Sequence, residues 1–250
     1  MSSPRRAAVL LVALIALAAL SGCGRLADPV APAAIGGSAT VSPAPVVSAT
    51  PAPPPSVGTS ATATVPRLAV YTSLGGTVKL TLGNPRPSEA PLTMLVLQSS
   101  NGWLEVELPV RPNGSRGWIS ASQVTLHDLQ YSLRVSTEQN TLTLYRSTTL
   151  VTTYPVATGT GDTPTPHGSF YLTELLAPSN AGYGPYAFGL SAHSTVLTSF
   201  GGGPGQIGLH GTDDTASIGK AASHGCIRMS NADITTLATT LPLGTPITIE

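Results

Sequence analysis

The amino-acid sequence predicts a mainly β protein, in which a small barrel is followed by a larger β-rich domain with one or two short helices. The 250-residue chain contains 26 Gly and 23 Pro, and both residue types disfavour helices. Apolar and polar residues alternate over short runs separated by turn residues such as Asn101-Gly102, as expected for strands joined by tight hairpins. A helical pattern occurs near the end, over residues 232–240, after a capping residue at Ser230 or Asn231.

The first 22 residues are predicted to be a lipoprotein signal peptide. Arg5 and Arg6 precede an uncharged run over residues 7–20, which is too short to span a bilayer comfortably. The run ends in Leu-Ser-Gly-Cys, which resembles the lipobox of bacterial lipoproteins, and Cys23 would be the lipidated residue. A plain secretory signal with an incidental Cys is the alternative. The prediction implies an extracytoplasmic protein that a lipid anchors to the bacterial cell membrane, facing the cell wall.

Two further segments precede the last part of the chain. Residues 23–66 are rich in Pro, Ala, Ser and Thr and almost uncharged, so they are predicted to form a disordered tether. Residues 67–127 show strand-like alternation, and the stretch that contains Trp103 and Trp118 resembles the Trp-rich hairpin of bacterial Src-homology-3-like modules. We expect a small β-barrel here, with both Trp side chains in its core rather than at a peptide-binding surface.

The charge pattern excludes one class of partner. Charged residues make up 10% of the chain, with 12 basic and 12 acidic side chains, whereas an ordinary soluble domain contains roughly 25%. A basic face for nucleic acid is therefore not expected. The protein is predicted to be a monomer.

Cys226 is the residue that most directly indicates a chemistry. The chain has two Cys, and if Cys23 carries lipid, Cys226 is either a reactive thiol or one half of an intermolecular pair. His224 and Arg228 flank it in sequence, and cations near a thiol are expected to lower its pKa and favour the nucleophilic thiolate. His210 lies earlier, beside a glycine-rich run, where a separate strand can bring an imidazole base to the sulfur.

The order His-Gly, a loop, and then Ser-His-Gly-Cys-x-Arg resembles the signature of YkuD-like L,D-transpeptidase catalytic domains. In this chain the motif residues are His210, Gly211, Ser223, His224, Gly225, Cys226 and Arg228. The resemblance covers residues 128–250. It implies a β-rich catalytic fold and cleavage of a peptidoglycan stem tetrapeptide after its third residue.

The same resemblance implies the roles of the reacting groups. Cys226 attacks the carbonyl of the third stem residue, forms a thioester and releases the terminal D-alanine. His210 takes the thiol proton and later deprotonates the incoming amine, and the Gly211 carbonyl orients the imidazole. Transfer of the acyl group to an amine of another stem then cross-links the wall.

Residues around the thiol receive roles by the same resemblance. Backbone N–H groups of Gly225 and Cys226 are expected to bind the oxyanion. Arg228 is expected either to bind a stem carboxylate or to brace the loop. For Ser223 and His224, loop orientation and direct catalysis are both open.

One more residue, Tyr186, is assigned to substrate binding. It belongs to a Tyr-Gly-Pro-Tyr segment that suits a substrate-covering loop, a core element or a surface turn.

Several alternatives share the same residues. With water as acceptor the site would be an L,D-carboxypeptidase, and a wall-binding lipoprotein with a degenerate domain is a further alternative. A papain-like endopeptidase is disfavoured because its Cys precedes its His, and a sortase because its His and Cys lie farther apart. A zinc site on Cys226, His210 and His224 lacks a convincing fourth ligand. We therefore predict neither a metal nor a cofactor.

Overall fold

The computed structural model describes residues 57–199 and 203–250, whose strands form two large sheets and one small sheet. The predicted signal peptide, Cys23 and most of the predicted tether lie outside these residues. The described part of the chain is mainly β with one α-helix, which confirms the predicted fold class. No helix in that part is long and apolar enough to cross a membrane.

Seven strands form the first sheet. In chain order they are β1 (Thr59–Ala63), β2 (Arg67–Tyr71), β3 (Val78–Gly83), β4 (Thr93–Ser100), β5 (Trp103–Glu107), β6 (Arg116–Ser120) and β7 (Val124–Asp128). Across the sheet their order is β3-β2-β6-β5-β4-β1-β7. A 3₁₀ turn at Ala121–Gln123 joins β6 to β7.

Strand β1 lies inside the segment predicted to be a tether, so the predicted boundary at Pro66 was wrong. The strand pairs antiparallel with both β4 and β7, and its residues Ala61 and Ala63 are buried. Small Thr, Ser and Ala side chains give little hydrophobic signal in the sequence. An interior strand nevertheless has its backbone hydrogen bonds satisfied from both sides, so composition alone did not reveal it.

The tryptophans of this sheet differ in burial. Trp118 is buried, whereas Trp103 is half-buried. The Trp103 ring makes an edge contact with Tyr71, with the ring centroids 5.0 Å apart and the planes at 84°. Edge contacts of this kind stabilise aromatic pairs, so Trp103 has a packing partner within the sheet.

The second sheet carries the C-terminal part of the chain. Its strands, in chain order, are β8 (Tyr131–Ser136), β9 (Thr141–Arg146), β10 (Thr149–Pro155), β12 (Gly168–Leu176), β13 (Ala187–His193), β14 (Gln206–Gly211), β16 (Ile227–Met229) and β17 (Pro246–Ile249). Their order is β10-β9-β8-β17-β12-β13-β14-β16. The short strands β11 (Thr158–Gly159) and β15 (Ala221–Ser223) form a separate parallel pair, and 3₁₀ turns lie at Ala181–Tyr183 and Thr215–Ser217.

Helix α1 (Asn231–Thr240) covers one side of the second sheet. It buries Ile234 and Leu237 in the same core cluster as the central strands. Ser230 is the N-cap, and its Oγ accepts a hydrogen bond from the N–H of Asp233 over 3.1 Å. Ser at the N-cap satisfies an N–H group that has no partner within the helix. Of the two cap residues that the sequence allowed, Ser230 and Asn231, the structure uses Ser230.

Tyr171 joins the packing of the two sheets. It lies on β12, yet its fully buried ring belongs to the core cluster of the first sheet. Its hydroxyl donates to the backbone carbonyl of Glu107 over 3.1 Å, and the Ser191 hydroxyl donates to the Glu107 side chain over 2.7 Å. Burial raises the pKa of Glu107 to about 7, against a lowering by the Ser191 hydrogen bond. The first sheet is therefore packed directly against strands β12 and β13 of the second sheet.

Candidate active site

Cys226 and His210 lie on adjacent strands of the second sheet. His210 is in β14, and Cys226 immediately precedes β16. These strands pair in parallel, with Leu209 opposite Ile227. The N–H of Gly208 donates a hydrogen bond to Cys226 Sγ over 3.3 Å. The fold thus brings together the two residues that the sequence analysis assigned as nucleophile and base.

Gly208 leaves open the space between the thiol and the imidazole. A Cβ atom at this position would lie 3.6 Å from His210 Cδ2 and 3.7 Å from Cys226 Sγ. Both side chains therefore border the same small volume, which belongs to a cavity of about 440 Å³. A reacting carbonyl group fits where a larger residue would place its side chain.

The environment of His210 fixes its tautomer. Its Nδ1 lies 2.6 Å from the backbone carbonyl oxygen of Gly211. A carbonyl can only accept, so Nδ1 carries the proton and Nε2 is the unprotonated nitrogen. The pKa of His210 is lowered from 6.5 to about 4, mainly by burial and to a lesser extent by the charge of Arg228, while the bond to Gly211 acts to raise it. The imidazole is thus neutral at neutral pH, with Nε2 available to accept a proton.

The thiol of Cys226 is also favoured in its neutral form. Burial raises its pKa, and this exceeds the lowering effects of the Gly208 N–H and of Arg228. The expectation that flanking cations would lower the pKa of this thiol below its usual value was wrong. His224 is exposed, and desolvation of the sulfur outweighs the more distant charge of Arg228.

A tight turn holds the sulfur in place. The hydroxyl of Ser223 donates to the carbonyl of Cys226 over 2.5 Å and accepts from the N–H of Gly225 over 3.1 Å. Thr165 donates to the Gly225 carbonyl over 3.0 Å. Gly225 has φ of +115°, which residues with a side chain rarely adopt. Ser223 thus braces the turn, and its use of the Gly225 N–H leaves the predicted oxyanion role to the N–H of Cys226.

Arg228 and His224 lie near the thiol but do not line the larger cavity. Both line a second cavity of about 210 Å³. Arg228 Nη1 is 3.7 Å from Asp214 Oδ2, and its backbone pairs in both directions with Ala157. The exposed ion pair contributes little to stability, so the guanidinium remains close to the small cavity while the backbone is held by its hydrogen bonds.

Tyr183, not Tyr186, borders the reacting residues. Tyr183 lines both cavities, and its ring centroid is 4.7 Å from that of His210. Tyr186 packs against the core cluster of the second sheet and is not among the residues that line either cavity. The structure places Tyr183, rather than Tyr186, beside His210, and the substrate-binding role of Tyr186 stays a prediction. The sequence pattern does not distinguish the two tyrosines of this short segment.

Residues 57–199 and 203–250 contain no group of three or more His, Cys, Asp or Glu side chains placed to hold a metal ion. Cys226 and His210 share the larger cavity with Glu174 as its acidic residue.

Known proteins are similar to the part of the chain that forms the second sheet. Residues 130–249 match the YkuD family, described as the L,D-transpeptidase catalytic domain. The protein YkuD of Bacillus subtilis strain 168 is 38% identical over 124 residues, which cover 50% of this chain and 68% of that protein. The protein YkuD of Bacillus licheniformis is 35% identical over 149 residues, which cover 57% of this chain and 83% of that protein. A crystal structure of an L,D-transpeptidase from Mycobacterium tuberculosis H37Rv matches with a TM-score of 0.40 and 17% identity, over 56% of this chain and 74% of that one.

A thiol beside a neutral imidazole, on neighbouring strands of a β-rich domain, defines the class of cysteine enzymes that act through a covalent intermediate. The matches narrow this class to one family. The chain belongs to the YkuD family of L,D-transpeptidases, and it is an acyltransferase.

Replacing Gly208 with Ala tests the shared volume between thiol and imidazole. Gly208→Ala is expected to slow acylation of Cys226 by about 10- to 100-fold, because the methyl group displaces the reacting carbonyl. The rate is measured as the formation of a covalent adduct with a thiol-reactive carbapenem, by mass spectrometry. Gly161→Ala is the matched control, since a Cβ atom there meets nothing within 4 Å. Equal rates in all three proteins would mean that the carbonyl approaches from another side.

The pKa of His210 sets the acid limb of the pH profile. Because this pKa is lowered to about 4, the imidazole remains a base at neutral pH, and the acylation rate should fall only as the pH drops through about 4. His210→Gln should remove this limb and slow acylation by roughly 10²- to 10⁴-fold. The remaining rate should rise with pH as the thiol ionises. Stopped-flow acylation between pH 3 and 9 provides the measurement, and a limb centred on 6.5 in the parent would contradict a buried neutral imidazole.

Proposed function

We propose that this protein is a peptidoglycan L,D-transpeptidase in which Cys226 attacks the stem tetrapeptide after its third residue. The observation that carries the proposal is the tautomer of His210, whose Nε2 is unprotonated because Nδ1 donates to the Gly211 carbonyl, in a ring whose Cδ2 borders the same open position of Gly208 as Cys226 Sγ. Family membership supplies the reaction class, and this geometry supplies the base that the reaction requires.

In the first half-reaction, His210 Nε2 takes the thiol proton as Cys226 Sγ bonds to the carbonyl carbon of the third residue. The oxyanion of the tetrahedral intermediate accepts the N–H of Cys226. The C–N bond to the fourth residue then breaks, and His210 returns its proton to the leaving amine. The products are a thioester and free D-alanine.

The second half-reaction uses the same groups in the reverse order. An amine of another stem attacks the thioester carbon, and His210 accepts a proton from that amine. The C–S bond breaks, and the proton passes to the sulfur, which restores the thiol. Because both resting groups are neutral, no charge has to be buried between turnovers.

Arg228 is proposed to bind the carboxylate of the leaving residue. Its guanidinium lines the small cavity with His224, and a guanidinium is well suited to a carboxylate ligand. Cys226 lines the small cavity as well, whose volume is about 210 Å³ against about 440 Å³ for the larger one. A single amino acid fits there better than the rest of the stem.

Cys226→Ala should abolish D-alanine release from a synthetic stem tetrapeptide and should remove the carbapenem adduct. The change deletes the sulfur and leaves a small side chain, so the melting temperature should be nearly unchanged.

Mass analysis of the products formed by the parent with an amine acceptor present distinguishes a cross-linked product from a hydrolysed tripeptide. Hydrolysis alone would identify an L,D-carboxypeptidase, and no reaction in the parent would leave a wall-binding role. Loss of activity on chelation, reversed by zinc, would replace the base role of His210 with a ligand role.

We also propose that the protein is a monomeric lipoprotein outside the cytoplasm. This proposal rests on residues 1–23, whose sequence resembles a lipoprotein signal with Cys23 at its end. The following tether and the first sheet, which we propose to be a Src-homology-3-like module, would then hold the catalytic domain at a distance from the membrane.

Cys23→Ala should release the full chain from the membrane fraction of the producing bacterium, because the thioether-linked lipid can no longer form. Immunoblots of membrane and soluble fractions make the comparison, with Cys226→Ala as the control for loss of a thiol elsewhere. Retention of the Cys23 variant in membranes would mean that residues 7–20 act as an uncleaved anchor.

A further inference from the structure

A carboxylate borders the larger cavity away from the reacting pair. Glu174 lies on β12 and is 6% exposed, and it lines the same cavity as Cys226 and His210. Its Oε2 is 3.5 Å from Arg86 Nε and accepts the hydroxyl of Ser88. Both partners come from the loop between β3 and β4, so the first sheet holds a side chain of the active-site cavity.

The other carboxylate oxygen of Glu174, Oε1, lies over Gly189. A Cβ atom at Gly189 would lie 2.5 Å from Glu174 Oε1. Gly189 is opposite Glu174 on one side and opposite Gly208 on the other, and Gly208 is the residue whose N–H bonds to the sulfur of Cys226. The Gln206 amide lies over Gly189 too, since its Nε2 would be 2.7 Å from the same Cβ atom, so Glu174 and Gln206 together occupy the space over Gly189. The cavity floor between the carboxylate and the thiol is therefore the open position of Gly208.

The length of this floor follows from the strand register. Opposed residues in an antiparallel pair have Cβ atoms about 4.5 to 5.5 Å apart. With the positions of Glu174 Oε1 and Cys226 Sγ relative to the two glycines, the oxygen and the sulfur are separated by no more than about 12 Å. An acyl carbonyl followed by a flexible four-carbon side chain can bridge that separation.

The two cavities beside Cys226 differ in charge. Among the described residues that line the larger one, Glu174 is the acidic side chain and no Lys or Arg is present. The smaller cavity contains Arg228. A substrate that extends from one cavity into the other therefore meets the carboxylate of Glu174 in the larger cavity and the guanidinium of Arg228 in the smaller one.

We propose that Glu174 binds a primary ammonium group on the side chain of the third stem residue. This inference rests on the proposed function. The larger cavity accommodates the acyl part of the stem, whose third residue is the one bonded to Cys226. Its side chain crosses the glycine floor, and its ammonium donates a charge-assisted hydrogen bond to Glu174 Oε1. Arg86 and Ser88 are positioning residues that hold the other oxygen.

Two synthetic stem tetrapeptides test the subsite in the full chain. One has lysine at the third position, and the other has norleucine, which keeps the four-carbon side chain and lacks the amine. We expect the parent to release D-alanine from the lysine peptide with a kcat/KM about 10- to 100-fold higher than from the norleucine peptide, as a hydrogen bond between charged groups implies. In Glu174→Gln this ratio should fall to near one.

Glu138→Gln is the matched control, because it makes the same change at an exposed residue of the turn between β8 and β9, and it should keep the ratio of the parent. Equal release from both peptides by the parent overturns the subsite and leaves the proposed function intact, even if Glu174→Gln does not fold. An undiminished ratio in a folded Glu174→Gln also overturns it. Release from neither peptide by the parent instead overturns the proposed function itself.

Discussion

Strands β14 and β16 pair in parallel, and their register places Cys226 beside Gly208. Gly208 is two residues before His210, so the two lie on the same face of β14. The sulfur and the imidazole come from segments separated by the loop that contains Asp214. The hydrogen bonds between the two strands hold these groups at a fixed separation. Glycine at 208 is what makes the pairing productive, because any side chain there would enter the volume that the two reacting groups share.

Burial determines how the pair can react. It lowers the pKa of His210 and raises that of Cys226, so both groups rest in their neutral forms. A preformed ion pair is thereby disfavoured, and the thiol requires a base at the moment of attack. The carbonyl of Gly211 determines which imidazole nitrogen provides that base, and it does so without a carboxylate.

The first sheet contributes to the site through its loops. Arg111 donates to the carbonyls of Ser194, Leu197 and Pro204, at 2.8, 3.2 and 3.0 Å. Asn113 exchanges two hydrogen bonds of 2.8 Å with the backbone of His193. These contacts hold the segments that follow β13 and precede β14. Arg86 adds a further contact between the sheets through its ion pair with Glu174. A module expected to be a separate barrel therefore supports the cavity in which the second sheet carries out its chemistry.

The sequence by itself determined the fold class, and it predicted a helix cap at Ser230 or Asn231 and Cys226 and His210 as the reacting pair, because each of these depends on a local pattern of residue types. It could not determine that β1 belongs to the first sheet, because that strand is stabilised by its neighbours rather than by its own side chains. It assigned Tyr186 where the structure places Tyr183 beside His210, and it missed Glu174, since a residue of β12 becomes part of the site only when β13 and β14 lie next to it. The pKa directions likewise arise from burial, which depends on packing between distant segments and is decided by the tertiary structure alone.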